Sequence, residues 1–186
     1  MDTHWAGDLS TFLTAIWAEM GDFTHSRGGY PGLVSLATIS DSGPQQRQLV
    51  LRSVDRAADL LMLHTDSHTP KCAQLLTDPR ASLLFWNPEV QLQIRVNGRA
   101  ELLGAYAAQS AWAELPFASR GNYGVTPAPG SPIDAPFEYE RKADETRLAV
   151  ISVKAEQIDA VHLSTPKHIR AMFRADDNWA GQWLAP

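Results

Sequence analysis

The residues best suited to chemistry lie in a hydroxyl-rich loop that leads into a predicted helix. Thr65, Ser67 and Thr69 precede Lys71, and Pro70 suits the first helical position, where a backbone N–H is not needed. A helix N-terminus exposes unpaired N–H groups and a partial positive charge, so this loop could hold a phosphate. The same residues also fit an ordinary capped helix with a solvated lysine.

Arg47 bears on this choice. It lies on a predicted strand that we expect to neighbour the strand ending at Thr65. A second cation directed at the same point would suit a dianion. The alternative is a solvent-facing arginine of the kind that many strands carry.

A second group of polar residues follows the alternation of a later strand. Gln91, Gln93 and Arg95 fall on one face of the predicted strand Val90–Leu103, and the opposite face is apolar. The polar face either meets solvent or is covered by a partner subunit or a heterocycle with carbonyl and imine edges.

Other common site chemistries find no support. His64 and His68 are four apart but flank a loop, and Cys72 has no partner cysteine at a ligand spacing, so no metal site is predicted. The sequence contains neither Gly-x-Ser-x-Gly nor Gly-x-Gly-x-x-Gly, which argues against a serine nucleophile and a Rossmann-type site.

The elements that must position these residues are mostly strands. An amphipathic helix over Leu9–Met20, capped by Asp8 or Ser10 and stopped by Gly21, comes first, and a polar, glycine-rich stretch, 25–32, follows it. Further helices are predicted from Thr69 and over Ala105–Leu115, and a long loop over Pro116–Pro136. The predicted strands are Leu33–Ile39, Gln45–Val54, Leu60–Thr65, Ala81–Trp86, Val90–Leu103, Arg147–Val153 and Gln157–Leu163. This pattern favours an antiparallel barrel or sandwich over a parallel doubly wound sheet.

Size and charge narrow the class of protein. The chain has 186 residues, which fits a single domain over 1–186, and a net charge of −5, which disfavours nucleic acid and anionic lipid as partners. The single cysteine cannot form an internal disulfide, and we see neither a secretory leader nor an apolar run long enough to span a membrane. We therefore expect a cytoplasmic protein.

Four motifs, in order and at close to the expected spacing, resemble the pyridoxamine 5′-phosphate oxidase family. They are Arg47-Gln-Leu-Val-Leu-Arg52, Leu63-His-Thr-Asp-Ser-His-Thr-Pro-Lys71, Asp78-Pro-Arg-Ala-Ser-Leu-Leu-Phe-Trp86 and Gln91-Leu-Gln-Ile-Arg-Val-Asn-Gly98. The resemblance covers about 33–103 and implies a mainly β fold, an antiparallel split β-barrel with flanking helices. It also implies a homodimer that holds FMN at the subunit interface.

The resemblance also implies roles for individual residues. Lys71 matches the lysine that meets the FMN phosphate, Arg47 matches an arginine that contacts FMN, and Gln93 matches a glutamine at the flavin ring. The full set expected to bind the cofactor is Arg47, Gln48, Leu49, Val50, Arg52, His64, Thr65, Thr69, Pro70, Lys71, Gln93 and Arg95. His168 and Arg170 match the family's C-terminal motif and are the expected catalytic pair. Positive charge from Arg95 or Arg170 would stabilise negative charge on the ring, and His168 would either transfer a proton or only stack and hydrogen-bond.

The departures concern the substrate side. The family has a lysine where Arg52 stands, and its Tyr, Arg and Ser set for pyridoxal phosphate has no counterpart around Ala111–Ser119. The tail Gly181-Gln-Trp-Leu-Ala-Pro186 is more like the oxidase-related FMN proteins of uncertain substrate. The resemblance therefore implies an FMN-dependent oxidase or reductase acting on a small molecule. The alternatives are a carrier or sensor module that binds flavin or haem without turnover, and an interaction scaffold.

Overall fold

The computed structural model describes residues 7–25 and 32–186, so most of the polar stretch at 25–32 lies outside the described residues. The helices are α1 (Leu9–Asp22), α2 (Pro70–Thr77), α3 (Ala105–Glu114) and α4 (Phe117–Arg120). The strands are β1 (Leu33–Ser40), β2 (Gly43–Asp55), β3 (Leu60–Asp66), β4 (Arg80–Asn87), β5 (Leu92–Leu102), β6 (Val125–Thr126), β7 (Glu140–Arg141), β8 (Leu148–His162), β9 (Ile169–Arg174) and β10 (Gln182–Leu184).

Six antiparallel strands pair in a ring, which confirms the predicted antiparallel barrel. The order is β1-β2-β3-β8-β5-β4, and β4 pairs again with β1. The ring is split along one edge of β8. There β3 pairs with Leu148–Lys154 and β9 with Gln157–His162, while β5 pairs with Ile151–His162 along the opposite edge. β10 then pairs with the outer edge of β9.

The two separate strands predicted over 147–163 are wrong, because β8 is one continuous strand. It crosses from β3 to β9 without a break because β5 supports it on the other side, with a register shift at Asn97/Gly98. A Cβ on Gly98 would lie 1.9 Å from the Lys154 carbonyl oxygen, so only glycine permits this close approach of the two strands.

The core fills the ring and the space between the ring and the apolar faces of α1 and α2. Leu36, Leu63, Phe85 and Ile151 are among the fully buried side chains inside the ring. Helix α1 begins after Asp8, whose carboxylate accepts the Thr11 N–H at 2.9 Å, and it buries Phe12, Leu13, Ile16, Trp17 and Met20.

The two helices α1 and α2 lie at opposite ends of the ring. Phe23, at the end of α1, packs edge-on against Phe85 near the end of β4, with ring centroids 5.3 Å apart. Gln74 of α2 bonds Thr38 near the end of β1, and β1 and β4 run antiparallel. The end closed by α2 is therefore the end that receives the hydroxyl-rich loop.

Several boundaries differ from the prediction. Gly21 lies inside α1, which continues to Asp22, and β5 begins at Leu92 because Gln91 adopts a positive φ of 53°. The sequence pattern missed β9 and β10, which are short and pair only at the split edge. The loop expected over 116–136 contains the single turn α4 and the strand β6. No helix in the described part of the chain is long and apolar enough to cross a membrane.

Candidate functional site

A cationic cradle forms where β3 gives way to α2. Lys71 lies in the first turn of α2, and its amine donates to the Thr65 hydroxyl at the end of β3 at 2.9 Å. The Thr65 and Thr69 hydroxyls lie 3.3 Å apart, and both residues are buried. Thr69 is the N-cap residue by position, but its hydroxyl donates to the Asp66 carbonyl instead of accepting a helical N–H. The backbone donors of this helix end are therefore not consumed by the side chain of Thr69.

Arg47 enters the same cradle from β2. Its guanidinium donates to the Thr38 hydroxyl at 2.5 Å and to the Gln74 side-chain oxygen at 3.2 Å. Gln74 lies one helical turn after Lys71, and it also accepts the Thr38 hydroxyl at 2.6 Å. We use the name cationic cradle for Arg47, Thr65, Thr69, Lys71 and Gln74.

The two cations of the cradle are partly buried, and Asp66, whose charge acts on Lys71, is already paired with Arg147. Burial lowers the pKa of Arg47 and of Lys71, and the charge of Arg47 also acts to lower the pKa of Lys71. Across residues 7–25 and 32–186, neither side chain takes part in an ion pair. Two partly desolvated positive charges at short range are unfavourable unless an anion joins them, and a dianion would balance both.

Asp66 anchors the loop that leads into the cradle. Its carboxylate, 4% exposed, accepts Arg147 Nε at 3.0 Å, the His68 N–H at 2.8 Å and the Gly124 N–H at 2.8 Å. Burial acts to raise the pKa of Asp66, but these hydrogen bonds and the charge of Arg147 outweigh it and lower the pKa. Gly124 has a φ of +114°, and a Cβ there would lie 2.0 Å from the Lys142 carbonyl oxygen. The loop therefore depends on contacts far away in sequence.

Small-molecule sites usually have volumes of about 300 to 1,000 Å³. A cavity of about 430 Å³ lies between α3 and the outer face of β2, β3 and β8. We call it the α3 cavity. Arg52 and His64 line it, together with Tyr106, Ser110 and Glu114 from one face of α3. Arg52 is placed there by a register shift between Leu51 and Ser53. The cavity and the cradle lie on opposite faces of β3, at the consecutive residues 64 and 65.

His64 and Arg52 each keep a buried nitrogen without a partner. Within the described ranges, neither His64 Nδ1 nor Arg52 Nε has a hydrogen-bond partner. Burial lowers the pKa of His64 to about 4, and the charge of Arg52 contributes in the same direction. His64 is therefore uncharged at neutral pH. A buried nitrogen without a hydrogen-bond partner lowers the stability of the protein, so we expect both side chains to hydrogen-bond to a ligand.

A third cluster lies on the outer face of β5, β8 and β9. The Asp159 carboxylate accepts Arg95 Nη2 at 2.6 Å and Arg170 Nη2 at 2.8 Å. Burial acts to raise the pKa of Asp159, but both arginines lower it. Gln93 is exposed on the same face of β5 and pairs in register with Trp86, which is 45% exposed. Asp159 is thus the counter-ion of both Arg95 and Arg170, and the three side chains together carry one net positive charge.

The predicted site residues fall into three places. Arg47, Thr65, Thr69 and Lys71 meet in the cradle, with Pro70 at the first position of α2. Arg52 and His64 line the α3 cavity, while Gln93, Arg95 and Arg170 lie in the third cluster. His168 is exposed in the connection before β9. The remaining residues lie along β2: Gln48 donates to the Ser35 hydroxyl at 2.8 Å, and Leu49 and Val50 are half-buried.

The third cluster lies far from the other two within one chain. Val150 of β8 pairs with His64, and Asp159 of the same strand pairs with Arg95. Nine residues separate these positions, which is roughly 30 Å along a strand.

The residues that sequence analysis missed came from distant segments. Thr38, Gln74 and Asp66 carry no local motif, and their roles depend on contacts across the fold. The sequence shows no counterpart of the family's Tyr, Arg and Ser set around Ala111–Ser119, and the face of α3 that lines the cavity carries Tyr106, Ser110 and Glu114. Their spacing of four residues on a predicted helix was the signal that could have found them.

Comparisons with known proteins agree on one family. Residues 15–104 match the family model described as pyridoxamine 5′-phosphate oxidase, FMN-binding domain. A pyridoxine/pyridoxamine 5′-phosphate oxidase of Microcystis aeruginosa is 34% identical over 91 residues, 48% of this chain and 42% of that protein. The chain thus spans under half the length of that relative. The pyridoxine/pyridoxamine 5′-phosphate oxidase 2 of Arabidopsis thaliana is 26% identical over 188 residues, 91% of this chain and 89% of that protein.

A solved structure supports the fold. PhzG from Burkholderia lata, in complex with tetrahydrophenazine-1-carboxylic acid, superposes with a TM-score of 0.73 at 17% identity. The match covers 100% of this chain and 98% of that one. At this identity the likeness concerns the architecture.

Proposed function

We propose that this chain, whose residues 15–104 match the FMN-binding domain of the pyridoxamine 5′-phosphate oxidase family, is an FMN-dependent oxidoreductase that acts on a small molecule. The cofactor of the matched domain is FMN. When bound, FMN supplies the redox chemistry by accepting or giving up a hydride, so the protein must bind, orient and shield the reactants.

The observation that carries the proposal is the pair of cations in the cradle. Arg47 of β2 and Lys71 of α2 lie close enough for their charges to interact, and neither forms an ion pair with a described residue. A phosphate dianion would neutralise both and accept the Thr65 hydroxyl and the helical N–H groups. The residues present therefore fit the phosphate end of FMN.

The α3 cavity lies across β3 from this cradle, at the neighbouring residue His64, and would provide space for the reacting molecule. Arg52 and His64 project from the strands that also carry Arg47 and Thr65. Their unpartnered nitrogens would hold polar edges of the flavin ring or the substrate. The aliphatic walls would exclude water from the reaction.

We propose that Gln93, Arg95 and Arg170 act on the FMN site of a second copy of the chain. They lie roughly 30 Å of strand away from the cradle in their own chain, a distance that no side chain spans. Their face of the sheet also exposes Trp86 and Leu33, at 45% and 48%, which suits a covered surface. In such a homodimer the charge left over from the Arg95–Asp159–Arg170 cluster would stabilise negative charge on the ring, and His168 would be placed to move a proton.

Reconstitution with FMN tests this function. We expect purified protein to bind FMN with a shifted flavin spectrum, and the bound flavin to bleach on anaerobic addition of NADH or NADPH and to recover in air. A flavin that binds but never bleaches with any donor would leave a binding module without turnover. Protein that neither binds FMN nor is protected by it against heat would refute the proposal.

A further inference from the structure

We propose, on the basis of the function above, that the α3 cavity selects an apolar monoanion such as a carboxylate and discriminates against a phosphate ester. The carrying observation is the charge content of two neighbouring sites. Among the residues that the structure describes, the cradle contains two cations, Arg47 and Lys71, whereas the cavity contains one, Arg52, with an acid, Glu114, at its rim.

The floor of the cavity offers one positive charge and one neutral polar group. Arg52 is half-buried and its Nε has no partner among the described residues. His64 sits beside it, uncharged, with Nδ1 equally unpartnered. A carboxylate would accept a hydrogen bond from Arg52, and its single negative charge would balance the charge of the guanidinium. The second charge of a phosphate monoester would find no partner there.

The carboxylate of Glu114 at the rim of the cavity repels an anionic ligand, and it repels a dianion more strongly than a monoanion. Glu114 is exposed on α3, four residues after Ser110 and eight after Tyr106, and all three line the cavity. Because the rim is solvated, repulsion from Glu114 is screened and modest for a monoanion. A dianion meets twice this repulsion, and the desolvation of its second charge is not compensated by a second cation among the described lining residues.

The walls fit an apolar body. They are formed by Met62, Leu103, Ala107, Ala111, Leu115 and Val150. The volume of about 430 Å³ suits a molecule with one or two rings. Aliphatic walls around a single charged anchor favour a ring or chain with one anionic end.

Benzoate and phenyl phosphate are matched probes for this inference. Both would be titrated into the FMN-saturated protein at about pH 8, where benzoate carries one charge and phenyl phosphate close to two, and binding would be read from the perturbed absorbance of the flavin. We expect benzoate to bind at least about tenfold more tightly than phenyl phosphate, the scale of one charged hydrogen bond. Equal or tighter binding of phenyl phosphate, or no saturable binding of benzoate, would overturn the inference.

Substitutions of two lining residues test whether Glu114 and Arg52 cause the preference for benzoate over phenyl phosphate. Glu114→Gln lies on an exposed helix face, so the fold should persist, and it should tighten phenyl phosphate more than benzoate. Arg52→Met should weaken benzoate about tenfold or more, whereas Arg56→Met, an exposed arginine in the turn after β2, should leave it unchanged. A Glu114→Gln protein with the same ratio of the two affinities as the parent would also refute the assignment.

The FMN dissociation constant, measured separately for each variant, separates this inference from the proposed function. Failure to bind FMN would defeat the function itself. Normal FMN binding with the wrong probe preference would defeat only the assignment of the substrate class.

Discussion

Replacing Lys71 with methionine removes one cation from the cradle while keeping most of its aliphatic stem. The amine is partly buried, and among residues 7–25 and 32–186 its hydrogen-bond partner is the Thr65 hydroxyl at 2.9 Å. It lies close enough to Arg47 for the two charges to interact. A hydrogen bond to a charged group contributes about 1.5 to 3 kcal/mol, so the FMN dissociation constant should rise about 10- to 150-fold. Because the site is partly buried, moderate salt should change this ratio little.

The same substitution should leave the protein without FMN nearly as stable as before. Burial and Arg47 hold the pKa of Lys71 below its ordinary value, so the charged amine is less favourable in the folded chain than in the unfolded one. Its removal relieves that cost and offsets the lost bond to Thr65. We expect the free energy of unfolding to change by less than about 1 kcal/mol.

Thermal unfolding with and without FMN measures both effects. At an FMN concentration of 100 times the parent's dissociation constant, binding stabilises the parent by about 2.7 kcal/mol, and a variant that binds 100-fold more weakly by about 0.4 kcal/mol. Lys142→Met, at an exposed lysine, is the matched control and should behave as the parent. Unchanged FMN affinity in Lys71→Met would show that the cradle does not hold the phosphate, and the reasoning from paired cations would fall.

Three further outcomes are expected. Asp66→Asn breaks the buried pair with Arg147 and should lower the free energy of unfolding by about 3 kcal/mol at neutral pH. Because folding lowers the pKa of Asp66, urea titrations below about pH 4 should show a smaller difference in stability between the variant and the parent. Folding lowers the pKa of His64 to about 4, so the parent should lose stability as the pH falls from about 6.5 to 4, and His64→Asn should flatten that dependence of the urea midpoint. Co-expression of Lys71→Met with Gln93→Ala should restore about a quarter of the native FMN sites if two chains build each site and pair at random; recovery no better than the two variants alone would place each site within one chain.

Local patterns were enough to predict most of the strands and the start of α2. Alternation identified the face of β5 that carries Gln93 and Arg95, and Pro70 marked the first position of the helix. The approach of Arg47 to Lys71 was also predictable, because β2 and β3 form a hairpin and α2 follows β3 directly. What the two cations bind remains a prediction.

Other features depend on contacts that no local pattern reveals. The local pattern predicts two strands in place of β8 because Lys154 and Glu156 interrupt its apolar run, and only its pairing with β5 shows that it continues. Asp66 lies 81 residues before Arg147 in the chain, yet the two form the buried pair that fixes the loop. The short strands β9 and β10 exist because the split edge of β8 accepts them.

The segment between β6 and β7 is held at both ends by hydrogen bonds, which makes it a suitable place to insert a foreign sequence. β6 and β7 pair with each other, and the Gly124 N–H just before β6 bonds to Asp66. Residues 127–139 therefore leave and re-enter the molecule at two neighbouring, fixed points. Exchanging this tip for a peptide tag or a longer insert would cost mainly the entropy of closing a loop, which grows slowly with length. The strands of the barrel would keep their pairing while the protein displayed a new sequence, provided that the close approach of Gly130 to Pro70 of α2 is kept.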